Sequence, residues 1–176
     1  MGEVKKYTIG ALVSNKSGVL TRISGLFTRR GYNIESISAC TTEDPELSRM
    51  TIILNGDEYM LYQMIKQMDK LEDVIKIGCA NELECVYRDL ALIKVSASPE
   101  TRRNIVEVTE IYKAKVVDLS PDTMIIEITG DPVKLDAFIK VIEPFGILEM
   151  QRTGVTVLAR GTHTLKDRDC YGDHIK

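Results

Sequence analysis

Two hydrophobic rhythms alternate along this 176-residue chain, and they do so twice in the same order. Residues 7–14 (Tyr7 to Ser14) are mostly apolar and read as a strand. Val19, Leu20, Ile23, Leu26 and Phe27 then fall at i, i+1, i+4, i+7 and i+8, one face of a helix. Ser17 or Asn15 can cap that helix, and Gly31 can end it. Ile34 to Thr42 and Leu47 to Asn55 read as strands joined by the polar turn Glu43-Asp44-Pro45-Glu46. Asp57 caps a second helix with Leu61, Met64, Ile65, Met68 and Leu71 on its apolar face, and Val74 to Cys79 closes the unit as a fourth strand. The methionines belong to that core face.

The second half repeats the plan. Leu90 to Ala97 is a strand, and Ser98-Pro99 opens a helix with proline in its preferred first position. Ile105, Val108 and Tyr112 carry that helix's apolar spacing. Lys115 to Leu119 and Met124 to Thr129 are strands around Ser120-Pro121-Asp122. Asp131-Pro132 opens a last helix with Leu135, Phe138, Ile139 and Ile142 inward, and Ile147 to Gln151 and Val155 to Ala159 finish the sheet. Local sequence echoes the repeat: Met50 to Leu54 followed by Asn55-Gly56-Asp57 is answered by Met124 to Ile128 followed by Thr129-Gly130-Asp131.

The pattern predicts an α+β protein of two ferredoxin-like βαββαβ domains, each an antiparallel sheet with both helices on one face. The first spans 1–80 and the second 81–165. The join falls in the short polar stretch Ala80-Asn81-Glu82-Leu83-Glu84, and a charged tail over 166–176 without periodicity is expected to be poorly ordered.

Composition narrows the function. Apolar residues make up 44% of the chain, enough for two cores, and the net charge is −3. That balance argues against a protein that grips nucleic acid through its phosphates. The doublets Arg29-Arg30 and Arg102-Arg103 read as solvated helix faces. Of the strands that would form the RNA-stacking surface of such a fold, only Tyr7 offers an aromatic ring. No signal peptide or membrane-spanning run is visible. Cys40, Cys79, Cys85 and Cys170 lack metal or redox spacing and read as reduced thiols, so a cytoplasmic setting is expected. His163 and His174 stand near the C-terminus without ligand spacing. No nucleotide loop is present, and no cysteine is set beside a histidine as a nucleophile. Catalysis by this chain is not expected.

What remains is the junction Asn15-Lys16-Ser17-Gly18-Val19-Leu20. A helix beginning at Gly18 presents unpaired N–H groups and a partial positive charge, which suit a carboxylate or phosphate. A capped turn with no ligand is the other reading of the same residues.

The run from Asn15 to Ser36, including Gly18-Val19-Leu20-Thr21-Arg22-Ile23 and Gly31-Tyr32-Asn33-Ile34-Glu35, resembles the first ACT domain of acetolactate synthase (acetohydroxyacid synthase) small subunits. Asp44 to Ile52, Thr109-Glu110-Ile111-Tyr112 and Lys134 to Phe138 extend the resemblance over 5–161. It implies a non-catalytic regulatory subunit that activates a separate catalytic large subunit. It also implies feedback inhibition by valine, or by leucine or isoleucine, at the head of branched-chain amino acid synthesis. Thiamine diphosphate, Mg²⁺ and FAD would belong to that partner, and this chain would hold no cofactor. A homodimer paired through its ACT domains is implied, with a valine pocket combining Gly18 of one chain and Asn33 of the other.

In that pocket the ligand carboxylate would sit on the N–H groups of Gly18, Val19 and Leu20. Asn15 and Asn33 would serve ammonium and carboxylate, and Leu12 and Ile34 would line the side chain. One methylene discriminates by only ~1–3 kcal/mol, so effectors should overlap. A stand-alone ACT sensor of amino acids controlling another protein is the alternative, and a structural assembly subunit with vestigial pockets a third reading.

Overall fold

A computed structural model describes residues 3–166. The chain runs β1 (Lys5–Ser14), α1 (Val19–Arg30), β2 (Ile34–Thr41), β3 (Leu47–Gly56), α2 (Glu58–Met68) and β4 (Val74–Cys79). It continues through β5 (Cys85–Ser96), α3 (Arg102–Ile111), β6 (Lys115–Leu119), β7 (Thr123–Gly130), α4 (Pro132–Ile142), β8 (Ile147–Arg152) and β9 (Thr156–Ala159). These are the two ferredoxin-like βαββαβ units that the periodicities predict. Antiparallel sheets order their strands β2-β3-β1-β4 and β6-β7-β5-β8, and β9 adds to β5 off the second path.

In the first unit, Ile9, Ala11 and Val13 of β1 and Met50, Ile52 and Leu54 of β3 turn one face toward the helices. They pack on Val19, Ile23 and Phe27 of α1 and on Leu61, Met64 and Met68 of α2. In the second, Ile93, Val95, Met124, Ile126 and Ile128 meet Ile105, Leu135, Phe138 and Ile142. Each such buried Val, Leu, Ile, Met or Phe side chain contributes about 1.5–3 kcal/mol. Tyr112 closes edge-on against Phe138 with ring centroids 5.2 Å apart.

Both Gly-Asp junctions cap their helices. Asp57 accepts from the Met60 N–H and Asp131 from the Lys134 N–H, each at 2.8 Å, and such caps are worth about 1 kcal/mol. Gly31 ends α1 in the left-handed conformation, φ 68°, as its position predicts.

Several boundaries differ from the sequence reading. The helix expected from Ser98-Pro99 begins at Arg102, because Ser98 O accepts from both Thr101 and Arg102 N–H groups and winds a turn first. Arg102 is not on a solvated face: its Nη2 donates to Pro121 O at 2.6 Å and ties that turn to the β6–β7 connection. β5 begins at Cys85, five residues before Leu90, carrying the charged Arg88-Asp89 inside a strand. Asp89 is buried there because Arg152 meets it at 2.6 Å.

The domain division also shifts. The first compact unit ends at Val86 and takes in the chain from Thr156 onward; the second runs from Tyr87 to Val155. The segment 156–165, assigned from sequence to the second domain, therefore goes with the first, where Arg49 Nη2 donates to Val157 O at 2.9 Å. Cys170, His174 and most of the expected tail lie outside the described residues. No helix among the described residues is long and apolar enough to cross a membrane.

Candidate functional site

At the end of β1 the backbone is pinned on two sides. Ser14 N donates to Asp73 O at 2.8 Å and Asn15 N to Glu46 O at 2.7 Å. The chain then reverses through Gly18, whose φ of +86° is left-handed. An L-residue in that region costs roughly 1–2 kcal/mol, which is one reason for glycine here. A second is space: a Cβ built on Gly18 meets nothing within 4 Å, so the backbone there is open to an approaching molecule.

The expected cap is absent. Gly18 itself occupies the N-cap position and no side chain caps α1. Asn15 is committed elsewhere, with Nδ2 donating to Pro45 O at 2.8 Å and Oδ1 accepting from Ser48 Oγ at 3.0 Å. The Asn15 N–H bond to Glu46 holds the residue toward the β2–β3 hairpin, so its side chain follows. The first-turn donors of α1 thus lack a side-chain acceptor, and Val19 N reaches Lys16 O only at 3.5 Å. Such a helix start favours an anion.

Side chains sort the remaining residues. Val19 is buried in the core and offers only backbone, whereas Leu20 is 51% exposed. Asn33 and Ile34 follow the other end of α1, and the helix's 12 residues span about 18 Å. Asn33 is exposed, and Ile34 pairs with Leu54 at the sheet edge. One chain therefore brings Asn15, Gly18, Val19 and Leu20 together and leaves Asn33 and Ile34 apart from them. Leu12 is no neighbour of this turn either; it lies on the sheet face away from the helices, in register with Arg49.

Sequence reasoning missed the hairpin partners Pro45 and Ser48 and the ion pair Arg22–Asp73, 2.7 Å long with Asp73 largely enclosed. Ser48 stands inside a run that carries the family resemblance, but only the β1–β3 register places it beside Asn15. No local signal links Asp73 to Arg22. Among the thiols, Cys40 is exposed, and burial pushes Cys79 up to about 11 and also raises Cys85. His163 is exposed.

The first ferredoxin-like unit, with its open, glycine-started helix, is of the ACT class: residues 9–76 match the AHAS small subunit-like ACT domain. Residues 88–161 match the family described as the small subunit of acetolactate synthase. A probable acetolactate synthase small subunit of Archaeoglobus fulgidus is 51% identical over 156 residues, covering 89% of this chain and 98% of that protein. The acetolactate synthase small subunit of Mycolicibacterium smegmatis is 46% identical over 155 residues, covering 88% and 91%. The crystal structure of the acetolactate synthase small subunit from Thermotoga maritima superposes with a TM-score of 0.83 at 37% identity, covering 90% of this chain and 99% of that one. The chain belongs to the acetolactate synthase small subunit family.

Proposed function

We propose that this chain activates a separate catalytic subunit of acetolactate synthase and subjects it to feedback inhibition by valine or a related branched-chain amino acid. Membership of the small-subunit family over both halves of the chain supports the partnership. The observation that carries the effector reading is Gly18: an uncapped helix start with open space above its backbone. The effector carboxylate sits on the N–H groups of Gly18, Val19 and Leu20. Asn15 adds its remaining donor and lone pair, and the exposed Leu20 meets the aliphatic side chain. The catalytic cofactors, thiamine diphosphate, Mg²⁺ and FAD, reside in the partner.

Asn33 and Ile34 complete the pocket from a second copy. The roughly 18 Å between the two ends of α1 supports this arrangement, since one chain cannot close both halves on one small molecule. The site then exists only in the homodimer. Regulation is linkage: valine binds the low-activity arrangement of the complex more tightly than the active one. A ratio of ~5–150 corresponds to ~1–3 kcal/mol of coupling, and the catalytic subunit changes valine affinity by the same factor.

Acetolactate production by the catalytic subunit, with and without this chain across a valine titration, tests the reading. Activation together with inhibition is the expected result. Gly18→Asp should abolish inhibition and spare activation, because a carboxylate then occupies the effector's place while aspartate tolerates the left-handed backbone better than most residues. Asn33→Ala should weaken valine binding in calorimetry without dissociating the dimer; wild-type affinity would remove Asn33 from the site. Valine binding with no effect on a matched catalytic subunit would favour the stand-alone sensor.

A further inference from the structure

β6 is the outermost strand of the second sheet, paired with β7 and, among the described residues, with no other strand. One side of its backbone is therefore a free edge. All of its residues from Lys115 to Leu119 are exposed, and Val116, Val117 and Leu119 are so by 39%, 51% and 55%. Proteins normally guard such edges with charge, and an apolar one is a template for a further strand.

Register gives this edge a definite pattern. Lys115 pairs with Glu127 and Val116 with Ile126, but Asp118 pairs with Ile125 and Leu119 with Met124, so Val117 is an extra residue. Ile126 and Met124 belong to the helix-facing core, which puts Val116 and Leu119 on that side. In a regular strand Lys115 and Asp118 would point to opposite faces; the bulge brings both to the open face. Neither forms an ion pair among the described residues. Asp118 accepts a long bond, 3.5 Å, from Ser120 Oγ.

That order of charges is self-complementary. When β6 is turned antiparallel on the β6 of a second copy about a two-fold axis, Lys115 meets Asp118 twice, Val116 meets Val117, and Leu119 meets Ala114. Opposite charges and apolar groups directly across from one another stabilise a strand pair. A shift of one residue sets Lys115 against Leu119 and Val116 against Asp118, a charge against an apolar group each time. The opposite edge, β8, has its charges committed: Glu149 to Lys94, and Arg152 to Asp89 and Asp136. A β6–β8 contact would also run head to tail and leave an open chain, whereas β6 on β6 closes in one step. We propose that the second unit associates with a second copy of this chain through β6, as an antiparallel strand pair joining the two second sheets. None of the residues assigned to the effector pocket takes part.

Directly opposite residues of such a pair have Cβ atoms ~4.5–5.5 Å apart, close enough for a disulfide to form with little movement. The experiment uses the full chain bearing Cys40→Ser and Cys170→Ser, since burial raises Cys79 and Cys85 and slows their reaction. Differently tagged chains carrying Val116→Cys and Val117→Cys are co-expressed and oxidised with copper phenanthroline. The disulfide between the two tags should form several-fold faster than in a control pairing Val117→Cys with Leu148→Cys on β8. Asp118→Lys added to both chains sets lysine against lysine twice, and should slow the cross-link several-fold without changing the thermal midpoint.

A cross-link no faster than the Leu148→Cys control would overturn the proposal. Undiminished cross-linking of the Asp118→Lys chains would overturn the register that the charges set. Neither valine nor the catalytic subunit takes part, so the outcome is independent of the activation and feedback reading.

Discussion

In the first sheet Gly56 faces Lys5, and in the second Gly130 faces Asp89, so the two central strand pairs share one register. Superposed in that register, Ile9 matches Ile93, Met50 matches Met124, Ile52 matches Ile126 and Leu54 matches Ile128. All eight point toward the helices and all are buried. On the opposite face the correspondence breaks. Gly10, Leu12 and Ile53 of the first sheet stand where the second has Lys94, Ser96 and Glu127. Leu12 and Ile53 are buried, whereas Lys94 reaches out to Glu149 at 3.2 Å in a solvent-exposed ion pair.

The helix-facing side of a ferredoxin-like sheet must be apolar, because both helices bury their stripes on it. The other side has no such obligation. In the second unit it meets water and carries charge. In the first it is covered by the chain that returns after β8, with Val157 fully buried and Arg49 bonded to its carbonyl. Two copies of one plan thus differ in what the chain does with the free face.

The largest test exchanges that character. Ile53→Glu should destabilise the first unit by roughly 3–5 kcal/mol, since a carboxylate would be buried without a partner. The reciprocal Glu127→Ile should change stability by no more than about 0.5 kcal/mol. Urea unfolding followed by circular dichroism, with hydrogen exchange to assign the loss to a unit, measures both. Equal effects would mean that the two open faces are equivalent after all.

A smaller effect is expected for Val157→Ala. Losing two buried methyl groups from the returning segment should cost about 2 kcal/mol. The added hydrogen exchange should concentrate in β1 and β3 and leave β5 and β7 protected. Protection lost evenly from both sheets would contradict the assignment of this segment to the first unit. The smallest is Lys94→Met in the second sheet. Its exposed pair with Glu149 is worth no more than about 0.5 kcal/mol, and the difference from wild type should vanish in high salt.

Where sequence reasoning succeeded, the responsible forces act within a few residues. Asp57 and Asp131 cap helices three positions on, Gly31 supplies a left-handed turn, and Phe27 or Phe138 follows the helical period of its own segment. Where it fell short, the deciding partner is remote. Arg88-Asp89 hides the start of β5 because a charged pair looks unlike a strand until Arg152, far along the chain, meets Asp89. Asn15 reads as a cap until the hairpin puts Pro45 and Ser48 within hydrogen-bond reach. Gly18 was legible as the open point of the candidate site, although its left-handed backbone appears only in the structure. Leu12 was misplaced because strand alternation puts it on the face opposite the helices.

The amino-acid sequence by itself determined the order of elements, the doubled βαββαβ plan, the helix-facing cores and the family. Hydrophobic period, caps and turn residues are encoded locally, and local interactions depend on neighbours in the chain. Tertiary structure alone decided which compact unit holds the segment after Thr156, why Ile53 is buried while Glu127 is not, and which residues surround Gly18. Those outcomes rest on groups distant in sequence, whose pairing depends on strand register and on which free face is withdrawn from water.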